Sequence, residues 1–152
     1  MHLNTFTNYA IRLLMYCALK GDDIAKTRDV AAAYGISENH LTKVAQQLAA
    51  AGFIKTLRGR GGGLRLAKRP EDISIGAVVR ATEGNLCLVE CFDPATNTCP
   101  LAGVCRFNHA LRRALDGFFL VLDGYTLADL VVEPQRLRPI LGLDPMAQPV
   151  TT

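Results

Sequence analysis

Residues 34–66 read YGISENHLTKVAQQLAAAGFIKTLRGRGGGLRL, and this stretch decides the fold. Gly35 supplies a turn residue able to adopt positive φ, and Ser37 is placed to cap a helix. From Glu38 to Ala51 the apolar residues Leu41, Val44, Ala45 and Leu48 recur at three- and four-residue intervals, so one side of that helix is buried, and Gly52 closes it. Phe53-Ile54-Lys55-Thr56-Leu57 then alternates as a strand does, Arg58-Gly59-Arg60-Gly61-Gly62-Gly63 forms a flexible basic tip, and Leu64-Arg65-Leu66-Ala67 returns as a second strand. Immediately upstream, Thr27 is placed to cap a short helix that runs to Tyr34. Two short helices joined by a tight glycine turn form a helix-turn-helix, and the hairpin behind them is a wing. The expected fold is mainly α with a small β-hairpin: a winged helix-turn-helix with a long dimerisation helix behind it.

Outside this stretch, Phe6, Tyr9, Ala10, Leu13, Leu14, Cys17 and Ala18 mark an amphipathic helix from Thr5 to Lys20, ended by Gly21. Residues 73–82 read as another helix, capped at Ser74 and stopped by Gly84. The segment from Asn85 to Cys105 has no periodicity, and something other than an apolar stripe must order it. From Arg106 to about Leu130, Leu111, Leu115, Phe118, Leu122 and Tyr125 alternate at intervals of four and three, a heptad-like seam that needs a partner. Phe107, Phe118, Phe119 and Tyr125 add more aromatic surface than a small core requires. The chain therefore divides into a DNA-binding domain (1–70), a connecting helix (71–84), a loop (85–105), a dimerisation helix (106–133) and a flexible, proline-rich tail (134–152).

Charge is distributed unevenly. Residues 1–70 hold eleven Lys/Arg and four Asp/Glu, whereas residues 71–152 hold six and ten, giving +7 and −4. A basic front half points to a polyanion partner, because phosphate neutralisation drives nucleic-acid binding. No apolar run approaches the roughly 20 residues of a membrane span, and the N-terminus lacks a basic leader and a small-residue cleavage site. The expectation is a soluble, cytoplasmic protein with no membrane partner.

Two constellations carry chemistry. On the polar side of the 38–51 helix stand Asn39, His40, Thr42, Lys43, Gln46 and Gln47, preceded by Ser37; Asn, Gln and Lys hydrogen-bond base edges and phosphates. Any solvated helix presents such residues. The adjoining hairpin distinguishes this one, because Arg58 and Arg60 beside Gly61 and Gly62 let a basic tip approach a sugar–phosphate backbone closely. A phosphate-binding loop is excluded, since Gly63 leads into a strand and no Lys-Ser/Thr follows. The second constellation is Cys91-x7-Cys99-x5-Cys105. Three soft thiolates on one loop suit an iron–sulfur cluster, zinc or redox chemistry; the absence of a Cys-x2-Cys pair weighs against a zinc ribbon. Cys17 is a core hydrophobe on the first helix, and Cys87 an additional thiol near the loop. An enzyme is not expected, since no base is paired with a thiol in the sequence.

TNYAIRLLMY (7–16), YGISENHLTKVAQQLAAAGFIKTLRGRGGGLRLAKRPEDISIGAVVRATE (34–83), the three cysteines and LDGYTLADLV (122–131) together resemble the family of winged-helix iron–sulfur repressors that includes NsrR, IscR and RirA. The resemblance covers residues 1 to about 133. Asn39-His40, Ile75-Gly76 and Tyr125-Thr126-Leu127-Ala128-Asp129-Leu130 look most like the nitric-oxide-sensing NsrR branch. It implies a homodimer with one cluster per subunit, 4Fe-4S or alternatively 2Fe-2S, held by Cys91, Cys99 and Cys105. It also implies binding to palindromic double-stranded operator DNA and release when nitric oxide attacks the cluster. The NsrR pattern places an aspartate near the N-terminus, reaching the cluster from the other subunit; the matching position here is Asn8, a weaker ligand. That leaves the fourth iron to Asn8, to Glu83, Glu90 or His109, to solvent, or to nothing. Asn8 and Glu90-Cys91-Phe92 also resemble the iron-responsive RirA branch.

Overall fold

The computed structural model describes residues 2–84 and 86–144. Seven α-helices among these residues accompany one two-stranded sheet: α1 (Thr5–Lys20), α2 (Thr27–Tyr34), α3 (Glu38–Ala50), β1 (Ile54–Leu57), β2 (Gly63–Leu66), α4 (Ile75–Glu83), α5 (Arg106–Asp123), α6 (Leu127–Leu130) and α7 (Pro134–Ile140). The mainly helical fold with a small antiparallel hairpin is the one the sequence predicts. β1 and β2 pair Ile54 with Leu66 and Leu57 with Gly63, so the wing is a hairpin closed by the basic glycine tip.

α1 is the central element. Its buried residues Ala10, Leu13, Leu14 and Cys17 meet Leu41, Val44 and Leu48 of α3, Val30 of α2, Leu64 of β2 and Val78 of α4 in one apolar cluster. Burial pushes the Cys17 thiol up to about 12, so it packs as an uncharged hydrophobe. The start of α1 is tied to the end of α4 by polar groups. The Asn4 side chain accepts from the Thr7 amide at 2.7 Å, capping α1, while the Asn4 amide donates to Glu83 Oε1 at 2.8 Å. In the interior, Thr7 Oγ1 donates to Thr82 Oγ1 at 2.8 Å, and Thr82 donates in turn to the Val78 carbonyl at 2.9 Å. These buried hydroxyls are thereby satisfied, and α1 cannot slide along α4 without unpairing them.

Behind α4 the chain departs from the single helix expected from Arg106 to about Leu130. α5 stops at Asp123, and a separate turn, α6, begins at Leu127. The cause is local. Thr126 and Asp129 form a capping box, with the Thr126 amide donating to Asp129 Oδ2 at 2.7 Å, which starts a new helix rather than continuing the old one. Across the break, the Ile75 amide donates to the Tyr125 carbonyl and the Leu127 amide to the Ile73 carbonyl, both at 2.9 Å. This short pairing turns the chain back onto α4 and seats Leu127, which is fully buried, in the central cluster. Tyr125 lies beyond the end of α5 and leaves the expected seam.

Two residues of the expected seam also serve the chain's own core. Phe118 and Leu122 pack against the chain's own core, joined by Phe119, whose ring meets Phe118 edge-on at 5.3 Å. The Arg80 guanidinium lies 4.1 Å from the Phe119 ring centroid and makes two bonds, 2.6 and 2.7 Å, to the Asp123 carboxylate. That hydrogen bonding holds the Asp123 carboxyl below the ordinary carboxylate range. Gly76 sits beneath this pair, where a Cβ would collide with the carboxylate. The exposed positions of α5 include Phe107, Ala110, Ala114, Gly117 and Val121, again spaced three and four apart. This strip is offset by one residue, about 100° around the helix, from the expected one.

The flexible tail expected from 134 is ordered through Asp144. Pro134 opens α7, and Arg138 donates to the Leu19 carbonyl near the end of α1 while pairing with Asp144 at 2.8 Å. Residues 145–152, the remainder of that expected tail, lie outside the described residues.

Replacing Leu127 by alanine removes a fully buried side chain from the junction between α6 and the core. We expect it to lower stability by about 2–5 kcal/mol in denaturant unfolding, far more than the same change at exposed Leu120.

Candidate nucleic-acid interface and cysteine loop

Helix α3 presents its polar residues as the amphipathic pattern requires: Ser37, Asn39, His40, Thr42, Lys43 and Gln46 are exposed, whereas Leu41, Val44, Ala45 and Leu48 are buried. Ser37 is the N-cap residue, but its side chain makes no capping bond. Thr42 Oγ1 turns back to the Glu38 carbonyl at 2.9 Å. The His40 ring stacks on Tyr9 of α1, with centroids 6.4 Å apart and planes at 28°. His40, Lys43, Thr5, Phe6 and Tyr9 line a shallow cavity of about 210 Å³. Gln47, grouped with the polar face in the sequence, has another role: its Nε2 donates to the Ala81 carbonyl of α4 at 2.6 Å. Tertiary placement alone reveals that, since a glutamine on a solvated helix face carries no signal of a partner 34 residues away.

The wing tip places Arg58 and Arg60 in solvent. Gly59 and Gly61 have φ of 94° and 81°, and a Cβ on Gly62 would collide with the Leu57 carbonyl. The tip is therefore a glycine-built turn that keeps both arginines clear of the sheet. The rest of the wing is anchored by bonds between Ala25 and Leu64 at 3.0 and 2.7 Å.

The three cysteines are half-buried on the loop between α4 and α5. Among the described residues, no group of three or more His, Cys, Asp or Glu side chains is arranged to hold a metal ion. Two of the thiols do converge, on a residue the sequence did not suggest. Asn108 Nδ2 donates to Cys91 Sγ at 2.9 Å, and the Asn108 backbone amide donates to Cys105 Sγ at 3.4 Å, where Cys105 is the N-cap of α5. Asn108 is only 7% exposed. Its Oδ1 accepts from Arg112 Nε at 2.9 Å, and the Arg112 guanidinium lies 4.5 Å from the ring centroid of Phe92, next in sequence to Cys91. Cys99 is positioned separately: its amide donates to Asn97 Oδ1 at 3.0 Å, and Thr98 beside it donates to Glu90. Cys87 and His109 are exposed, Glu83 is engaged with Asn4, and Asn8 is exposed on α1.

The model of the Rrf2 family, described as iron-dependent transcriptional regulators, matches residues 3–133. The chain belongs to this family. Over 142 residues it is 51% identical to the HTH-type transcriptional regulator NsrR of Geobacillus kaustophilus, covering 93% of this chain and 97% of that protein. Among solved structures, CymR, the global cysteine regulator of B. subtilis, is similar with a TM-score of 0.66 at 27% identity, covering 87% of this chain and 97% of that one. T. potens IscR shares the fold with a TM-score of 0.72 at 24% identity, covering 91% of each chain. This Rrf2 protein is thus a transcriptional regulator, and not an enzyme. Among its described residues no helix is long and apolar enough to cross a membrane.

For this regulator Gly62→Ala is a sharp test of the wing. The added methyl forces the tip away from Leu57, so DNA affinity is expected to fall at least several-fold in an electrophoretic mobility assay while the thermal unfolding of the core changes little.

Proposed function

We propose that the chain is a DNA-binding repressor that acts as a homodimer on a palindromic operator and senses nitric oxide through an iron–sulfur cluster held by Cys91, Cys99 and Cys105. The observation that carries the reading is the pairing of an exposed polar α3 and glycine-built arginine wing with three half-buried thiols on one loop, in a chain half identical to a protein named NsrR. The donor set fits such a cluster by its chemistry: three soft sulfur ligands, two of which accept hydrogen bonds from one buried residue, Asn108. When bound, the cluster supplies iron that nitric oxide can attack and thiolate bonds that order the loop. Asn8 of the partner subunit is the candidate fourth ligand. Ser37, Asn39, His40, Thr42, Lys43, Gln46, Arg58, Arg60, Gly61 and Gly62 are the proposed contacts to DNA.

The chain's own residues supply a route from loop to operator. Cys105 caps α5, and the far end of α5 is clamped to α4 by Arg80 and Asp123. The end of α4 holds both α1 and α3: Thr82 and Glu83 bind the start of α1, and the Ala81 carbonyl accepts from Gln47 of α3. A change in loop order that shifts α5 therefore reaches α3 through packed contacts and hydrogen bonds with no flexible linker between them. The exposed strip Phe107, Ala110, Ala114, Gly117 and Val121 supports the homodimer, because its small residues let two helices approach closely. Ala114→Glu is expected to convert the dimer into monomers in sedimentation velocity.

The deciding experiment is operator binding by anaerobically purified protein with its visible spectrum recorded, before and after stoichiometric nitric oxide and, in parallel, after iron chelation. Loss of cluster absorbance together with DNA release on nitric oxide, with both intact under moderate chelation, is the expected result. Release under mild chelation supports instead the iron-responsive, RirA-like reading, which asparagine at position 8 favours. A colourless protein that ignores both treatments, as with structural zinc, overturns the cluster.

A further inference from the structure

We infer that Asn108 is a hydrogen-bond donor to the cluster's cysteine sulfurs, pinned in that role by Arg112, and that it sets the cluster's reduction potential and its resistance to loss. The inference rests on the cluster reading above and concerns a residue outside the ligand set. One buried residue serves two candidate ligands fourteen positions apart, one through its side chain and one through its backbone. The Asn108 carboxamide donates to Cys91 Sγ at 2.9 Å and to the Cys91 carbonyl at 3.4 Å, and its backbone amide donates to Cys105 Sγ at 3.4 Å. Sulfur is a weak acceptor for a neutral amide and a much better one once it carries thiolate charge. Donors aimed at cluster sulfurs stabilise the more negative, reduced state and raise the potential.

The orientation of the carboxamide separates a donor from a ligand. An asparagine that ligated iron would present its oxygen. Here Oδ1 is already occupied by Arg112 Nε at 2.9 Å, which leaves Nδ2 directed at the sulfur. Arg112 is itself held: its guanidinium lies over the Phe92 ring, and Phe92 belongs to the same short turn, Glu90–Phe92, as Cys91. The loop thereby carries the ring that fixes the arginine, the arginine fixes the amide, and the amide returns to the loop. Flipping the carboxamide would break the Arg112 bond and set two N–H donors against each other.

The test compares the wild-type dimer with Asn108→Leu, which keeps the branched shape but lacks the carboxamide donor to Cys91, and with Arg112→Gln, at an exposed position outside the core. All are purified anaerobically with iron and sulfide content measured. The midpoint potential is read by dye-mediated titration and the half-life of visible absorbance under chelator by spectrophotometry. We expect all three proteins to carry equal clusters. Asn108→Leu should titrate at a more negative potential and lose its cluster several-fold faster, with Arg112→Gln shifted the same way by less. Unchanged potential and half-life in both variants overturn the donor role. A folded Asn108→Leu with no cluster also overturns it, making the residue indispensable for ligation instead. If Asn108→Leu does not fold, Arg112→Gln decides alone: a shift in potential supports the inference and none refutes it. A wild-type protein without iron or sulfide refutes the cluster reading itself, a result separable from all of these.

Discussion

The structure depends on the short backbone pairing between residues 73–75 and 125–127. It fixes the chain leaving α5 against the start of α4, beside the Arg80–Asp123 pair and the packing of Phe118, Phe119 and Leu122 on the core. Two peptide hydrogen bonds of 2.9 Å settle the register, the Thr126–Asp129 capping box ends any continuation of the helix, and Leu127 fills the core position that the turn creates. Backbone pairing, side-chain capping and apolar burial each contribute modestly. Together they specify one arrangement, because each is satisfied only when the other two are. The Arg80–Asp123 pair is half-exposed and contributes little stability by itself, but it lays the last turn of α5 over Gly76, where a Cβ would displace the carboxylate.

This junction gives α4 an unusual position. Its first turn receives the chain returning from α5, and its last turn is bonded to the cap of α1 and to Gln47 of α3. A nine-residue helix thus lies between the element that leads from the cysteine loop and the helix proposed to read DNA. The buried Thr7–Thr82 hydroxyl pair makes α1 and α4 move as one body. Tyr9 then carries α1 to the surface of α3, where it stacks on His40.

Much of the molecule is legible in the sequence for identifiable reasons. The α1 and α3 faces follow from apolar spacing, the wing from strand alternation around glycines, and the start of α4 from Ser74, whose hydroxyl does accept from the Ala77 amide. Thr27 illustrates a near miss: it is the first residue of α2 and Lys26 is the cap, since a threonine favours either position and the pattern cannot separate them. The reading of 106–130 as one helix failed because a heptad pattern counts apolar residues without asking which neighbour they meet. Leu122 and Phe118 satisfy it by packing on their own core. The tail was misjudged because prolines mark irregularity in general, whereas Pro134 at a first helical turn starts α7.

What the sequence by itself determined was everything governed by local periodicity and local capping: the number and kind of the DNA-binding elements, the basic glycine tip, and three thiols on a loop with no core of its own. What only the tertiary structure decided was partnership across distance. Asn108 between Cys91 and Cys105, Gln47 on the Ala81 carbonyl and Arg138 on the end of α1 are polar residues whose types are compatible with solvent. Their partners are chosen by how the apolar faces pack, because burial brings the backbones together first and leaves each polar group to find whatever donor or acceptor lies within hydrogen-bond reach.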